Sequence, residues 1–183
     1  MRAPISRFES LPVKDSRIFP LLAVNFDTVR GYWEDLKKAG YMDYRLCDVP
    51  SPKMEDAYRL MHQHAKNMYL IQWGDNIAGE FTLTNFTGRA AQIHFSTHPD
   101  LHIKQGIPLV KETVKRILHW KESHNEQRYY LNTLFGLTPM DNRAARLYIT
   151  KVGFKKQFVL PSGMNYMGRT VDALVTTLTR KDV

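Results

Sequence analysis

The segment Asn142 to Phe154, NRAARLYITKVGF, constrains the fold more than any other stretch, because it joins a helix start, an apolar helical stripe and a glycine stop. Asp141 or Asn142 offers a side-chain oxygen to cap the first amides, while Ala145, Tyr148, Ile149 and Val152 recur at i, i+3, i+4 and i+7. Gly153 supplies the left-handed position that commonly ends a helix, and Phe154 opens a β-prone run. The segment therefore reads strand, helix, strand. Local physics alone is equally satisfied by any amphipathic helix docked on a sheet.

The rest of the chain is punctuated in the same way. Asn25 to Ala39 reads as a helix closed by Gly40, Tyr41 to Val49 as a strand before Pro50-Ser51-Pro52, and Lys53 to Lys66 as a second helix. Met68 to Trp73 and Ile77 to Phe86 are strand-like runs around the hairpin signal Gly74-Asp75-Asn76. Arg89 to Thr97 sets Ala91, Ile93, Phe95 and Thr97 against Gln92, His94 and Ser96, the period of a half-buried strand. Pro108, read as a first-turn proline, opens an amphipathic helix reaching Ser123 with Leu109, Val110, Thr113, Val114, Ile117 and Leu118 on one face. Tyr129 to Leu137, Phe154 to Leu160 and Val171 to Thr179 complete the strands, with a turn at Pro161-Ser162-Gly163.

With 183 residues, 43% of them hydrophobic, the chain is expected to form one domain over 1–183, with 1–24 an N-terminal extension or first strand and 25–180 the core. Lysine and arginine outnumber aspartate and glutamate by 26 to 18, which suits an anionic ligand. The basic residues are dispersed rather than clustered, so nucleic acid is disfavoured and a phosphate-bearing cofactor accounts for the charge. The single cysteine, Cys47, cannot form an internal disulfide, which favours a reducing, cytoplasmic setting. The N-terminal apolar run is short and broken by Pro20, so a soluble chain with no membrane partner is expected.

The Asn142–Phe154 string resembles N-x-x-A-x-x-x-Y-x-x-x-G-F of the GNAT N-acetyltransferase superfamily, with Asn142, Ala145, Gly153 and Phe154 in register. Tyr148 stands one residue early, and Ile149 occupies the tyrosine position. The element order β-α-α-β-β-β-α-β-α-β-β is also that of the GNAT fold. The resemblance implies an α/β architecture, a central mixed, mostly antiparallel sheet of about seven strands flanked by about four helices.

It also directs attention to Thr97–Pro108, where GNAT proteins carry V-x-P-x-x-R-G-x-G-x-G/A, a loop whose backbone amides hold a pyrophosphate at a helix N-terminus. Pro99 and Gly106 match; His102 replaces the arginine, Ile103 the first glycine, Pro108 the last small residue, and one residue is inserted. The resemblance implies acetyl-CoA as co-substrate, contacted by Thr97, His98, His102, Lys104, Gln105, Gly106 and Ile107. Arg143, Arg146 and Lys151 would reach it from the following helix, or form that helix's solvated face, with Asn142 beside them and Lys104 and Lys111 adding charge. The alternative is a plain strand-to-helix connection in a chain that has lost its cofactor.

Acetyl transfer to an amine needs a base, because an alkylammonium of pKa ~10.4 is almost wholly protonated at neutral pH, and the departing thiolate benefits from an acid. By resemblance the acid is Tyr148, although its place on the apolar stripe suits packing equally well. The candidate bases are Glu80 and His94, with Asn132 limited to acting through water; each is also an ordinary polar strand residue. His94, His98 and His102 recur every four residues, but strand alternation and Pro99 oppose a helix there, so no metal site is expected. The implied activity is acetyl transfer to an amine acceptor, either a small molecule or a protein lysine or N-terminus. The competing class is a non-catalytic GNAT-like structural or interaction protein, of the kind found among phage-encoded proteins. Whether the chain works as a homodimer or as an assembly component stays open.

Overall fold

A computed structural model describes residues 12–46, 49, 51–101, 103–122 and 125–183. Seven strands form one sheet in the order β1-β2-β3-β4-β7-β9-β8, where β1 is Arg17–Pro20, β2 Met68–Trp73, β3 Asn76–Thr87, β4 Ala90–Thr97, β7 Thr133–Pro139, β8 Lys155–Tyr166 and β9 Arg169–Thr179. All neighbours are antiparallel except β4 and β7, which run parallel. Four helices flank the sheet, α1 (Phe26–Lys38), α3 (Met54–His64), α4 (Ile103–Leu118) and α5 (Arg143–Val152), and a single turn, α2 (Met42–Arg45), joins α1 to α3. A small hairpin of β5 (Lys121–Glu122) and β6 (Asn125–Tyr129) stands apart from the main sheet. The expected GNAT-like mixed sheet is therefore present.

Both faces of the sheet are covered. On one, Leu109, Val110, Val114, Ile117 and Leu118 of α4 and Ile149 and Val152 of α5 pack on Ile71, Phe81, Leu83, Ala91 and Ile93. On the other, Val29, Trp33 and Leu36 of α1 and Ala57 and Met61 of α3 pack on Met68 and Leu70. Successive residues of β2 thus serve opposite cores, as the strand period requires. Each fully buried leucine or phenylalanine contributes about 1.5–3 kcal/mol of transfer free energy.

Helix ends follow the local chemistry. The Asn25 side chain caps α1 by accepting from the Asp27 amide at 2.8 Å, and Asn142 caps α5 by accepting from Ala145 N–H at 2.9 Å. Both helices close in the same way: the amides of Gly40 and Tyr41 return to Lys37 and Leu36, and those of Gly153 and Phe154 to Thr150 and Ile149. Gly40 at φ 73° and Gly153 at φ 119° hold the left-handed position this closure needs.

Several expected boundaries move. The described part of the expected strand Tyr41–Val49 is not extended: Met42 and Leu46 are both buried, and their i, i+4 spacing turns the chain into α2. Pro108 does not open α4 but lies inside it, because the helix begins at Ile103; its ring removes the one amide that would have bonded the Lys104 carbonyl. Tyr129–Leu137 is divided, since the Tyr130 amide bonds Trp120 O and the Asn132 and Thr133 amides both go to Arg89 O, so β7 starts only at Thr133. Pro161–Gly163 is not a turn but an irregularity within β8, where pairing with β9 lapses between Leu160 and Met164 and the Ser162 amide bonds Asp172. The reversal occurs instead at Met167 and Gly168, with φ of 50° and 76° between paired Tyr166 and Arg169. Cys47 and His102 lie outside the described residues. Within the described residues, no helix is long and apolar enough to cross a membrane.

Candidate functional site

The parallel ladder between β4 and β7 has three rungs, Ala90 to Thr133, Ala91 to Leu134 and Gln92 to Phe135. Beyond them the strands part. β4 stays paired to β3 as far as Thr97, and β7 to β9 as far as Pro139, so each strand follows its outer neighbour and a wedge opens inside the sheet. The α4 helix starts just after the end of β4 and α5 just after the end of β7, so both N-termini stand at the mouth of the wedge. Helix N-termini present unbonded amides and a partial positive charge, and Ile103–Gly106 form the first turn of α4.

Tyr148 links these parts. Its ring lies 5.9 Å from that of Phe95 on β4, and a Cβ built on Gly106 would sit 3.0 Å from its hydroxyl. The hydroxyl is buried and makes no hydrogen bond of ordinary geometry among the described residues. Burial pushes its pKa up to about 12, with nearby Thr97 opposing the shift. A phenol so placed stays protonated at neutral pH and has its proton to give. Although it precedes the family position by one residue, it faces β4 and α4, while Ile149, in the family position, is core.

On the other face, Glu80 of β3 is paired in register with Ser96 of β4, so the two side chains project together. Glu80 is wholly buried, and Arg45 of α2 donates to its Oε1. Desolvation raises its pKa, and the Arg45 charge opposes that rise. The Tyr32 hydroxyl of α1 reaches Ser96 O and Oγ at 3.4 Å, and its pKa is also raised, first by burial and then by the Glu80 charge. His94, two residues from Ser96 on the same face, is exposed and lies 3.2 Å from Thr84 Oγ1.

The remaining expected site residues divide clearly. Arg146 has a buried Nε with no partner among the described residues, while Arg143 and Lys104 are exposed and Gln105 and Ile107 half-buried near the start of α4. Asn142 uses its side-chain oxygen in the α5 cap. His98 is turned toward α1: its Nδ1 accepts from the Asp100 amide at 3.1 Å, which places the ring proton on Nε2, 3.3 Å from Asp35 Oδ2. Asn132 sits at the closed end of the wedge, where its amide bonds Arg89 O. Sequence reasoning missed Arg45, because its segment reads as a strand; the i, i+4 pair Met42 and Leu46 was the available signal. Among the described residues, no group of three metal-ligating side chains converges.

No protein-family model and no curated protein matches the sequence. Solved structures do match. A GNAT-family acetyltransferase from Bacillus anthracis superposes with TM-score 0.67 at 12% identity, covering 91% of this chain and 95% of that one. The acetyltransferase that modifies the N-terminal serine of ribosomal protein L7/L12 in Salmonella typhimurium gives 0.66 at 15% identity, over 92% and 97% of the two chains. Spermidine N-acetyltransferase from Vibrio cholerae, in complex with CoA and spermine, gives 0.64 at 14% identity, over 92% and 98%. At these identities the likeness is one of fold, and the chain has the GNAT fold.

Proposed function

We propose that this protein is an acetyl-CoA-dependent N-acetyltransferase acting on an amine. The carrying observation is Tyr148, whose buried hydroxyl has Thr97 nearby but no hydrogen bond of ordinary geometry among the described residues, and stands where the opened strands meet the first turn of α4. An orphan buried hydroxyl costs about 1–3 kcal/mol, a cost that a ligand in the wedge would remove. The fold neighbours that bind CoA or acetyl-CoA, and their polyamine and ribosomal-protein acceptors, support the same reading.

The residues present fit such a co-substrate. The first-turn amides of α4 and the charges of Lys104, Arg143 and Arg146 would hold its pyrophosphate, and the wedge between β4 and β7 would take its extended arm. Acetyl-CoA supplies an acetyl group on a thiol that can depart as thiolate. Tyr148 holds its proton at Oη for that sulfur. Glu80, on the far face, has one oxygen bonded to Arg45 and Oε2 without a partner among the described residues, and its raised pKa strengthens it as an acceptor of the amine's proton. His94 is the exposed alternative base.

The decisive experiment is calorimetric titration with acetyl-CoA followed by a thiol-release assay over a panel of amines. Micromolar binding and turnover are expected. A second reading, a non-catalytic GNAT-fold structural protein, is favoured by the commitment of Asn142 and His98 to internal hydrogen bonds. Saturating acetyl-CoA that neither binds nor raises the unfolding temperature would establish that reading in place of the first. On its single Cys47 we assign the protein to a reducing, cytoplasmic compartment.

A further inference from the structure

The polar cluster on the α1 face of the sheet is built as a seat for a cation. Glu80 is 0% exposed, its Oε1 accepts from the Arg45 guanidinium, and that guanidinium also stands 5.7 Å over the ring of Trp33. A carboxylate and an indole face are the two partners that hold organic cations most strongly. Ser96 and the Tyr32 hydroxyl lie alongside, and Tyr32 completes a wall from α1. The seat is also under-satisfied. Glu80 Oε2, Thr82 Oγ1 and Trp33 Nε1 are all buried with no hydrogen-bond partner among the described residues. Thr82 lies two residues from Glu80 on β3, so both side chains project from the same face of the strand.

The present occupant comes from a single-turn element that is held more by the burial of Met42 and Leu46 than by hydrogen bonds of its own. Arg45 belongs to α2, a single turn whose Arg45 and Leu46 amides bond Tyr41 O at 3.0 Å and Met42 O at 2.8 Å. So short a helix has few internal hydrogen bonds of its own, and opening it costs chiefly the exposure of Met42 and Leu46. The Arg45 side chain retains 11% exposure, whereas the carboxylate it covers has none. Arg45 can therefore leave without unfolding β3, but Glu80 cannot follow it out.

We propose that Arg45 is a displaceable plug, and that the seat formed by Glu80, Trp33, Thr82 and Ser96 binds the ammonium end of a cationic alkylamine acceptor, which enters by lifting α2. An ammonium directs three N–H donors outward, enough to satisfy Glu80 Oε2 and Thr82 Oγ1 together. The self-docked guanidinium keeps the carboxylate neutralised until an acceptor arrives. The acceptor's fate rests on the acetyltransferase reading above, but occupation of the seat needs no acetyl-CoA, so the two fail separately.

The first test uses Arg45→Ala and methylguanidinium. The variant should unfold at a lower temperature than wild type and recover saturably with millimolar methylguanidinium, beyond any effect of equal sodium chloride. Arg45→Ala/Glu80→Gln should show no recovery. The second test uses the wild-type chain and decides the matter even if Arg45→Ala does not fold. Excess 1,4-diaminobutane should speed hydrogen exchange at the Arg45 and Leu46 amides several-fold. Unchanged or slowed exchange there overturns the proposal, as does recovery that persists without Glu80. Acetyl-CoA that binds while both tests fail leaves the enzyme reading standing and removes the plug; a working plug without acetyl-CoA binding does the reverse.

Discussion

Gly106 and Tyr148 stand in direct steric contact across α4 and α5: a single added Cβ at Gly106 would come to 3.0 Å from the Tyr148 hydroxyl. The glycine of one motif segment thus fixes the position of the tyrosine of the other. Gly106→Ala gains about 0.5–1 kcal/mol of helix propensity and loses a comparable amount by displacing a buried phenol. Denaturant unfolding should therefore show stability within ~1 kcal/mol of wild type, while kcat falls at least about tenfold. A variant with full activity would break the link between this contact and the chemistry.

Tyr148→Phe separates catalysis from packing more sharply. Its ring contact with Phe95 is retained, and a buried hydroxyl without a well-formed hydrogen bond among the described residues is removed, so stability should stay within about 1 kcal/mol of wild type. Turnover should drop by roughly 10²-fold or more if the phenol is the acid. Equal kcat in the two proteins would exclude Tyr148 from proton transfer.

The same phenol predicts a limb of the stability curve. Because its folded-state pKa is raised to about 12 from 10.0, the unfolded chain loses its proton first, and stability falls as pH rises through that interval. The slope from this group approaches 1.4 kcal/mol per pH unit, and Tyr32, also raised, steepens it. Chemical unfolding at pH 9, 10 and 11 should show the decline, and Tyr148→Phe should make it shallower.

Removing either member of the buried pair should have unequal effects. Arg45→Met leaves a carboxylate at 0% exposure without its cation and should cost about 3–5 kcal/mol, whereas Glu80→Gln leaves a guanidinium with 11% exposure that can turn to water and should cost less. Paired urea titrations order the two. Equal costs would mean that Arg45 is as trapped as Glu80.

Asn142→Ala tests whether that residue is a cap or a ligand. Loss of its hydrogen bond to the Ala145 amide should cost about 1 kcal/mol, with acetyl-CoA affinity changed less than about twofold. A tenfold weaker Kd at that modest stability cost would return Asn142 to the binding site.

The α5 segment was legible because everything that defines it is local: a cap, a stripe and a glycine within one run of chain. The fold order followed from similar punctuation. What could not be read were features set by distant partners. The start of α4 was misplaced at Pro108 because the helical turn before it is held against Tyr148, more than 40 residues away. The α2 turn reads as a strand because what selects a helical turn there, the burial of Met42 and Leu46 in one core, depends on distant partners. The split of Tyr129–Leu137 likewise depends on the Arg89 carbonyl taking two amides. Glu80 and His94 stood out as charged strand residues, but sequence alone could not show that one is sealed under α2 and the other faces solvent.

The three-rung ladder between β4 and β7 has a mechanical consequence as well. It divides the sheet into a four-strand leaf, β1 to β4, and a three-strand leaf, β7, β9 and β8, fastened along a seam of three residue pairs. With so few rungs at the seam, it is the core shared by α4, α5 and residues of both leaves, such as Phe81, Ile93, Leu134 and Leu178, that ties the leaves together. Further rungs would close the gap, so the sheet's shortest ladder is also what keeps its two leaves apart.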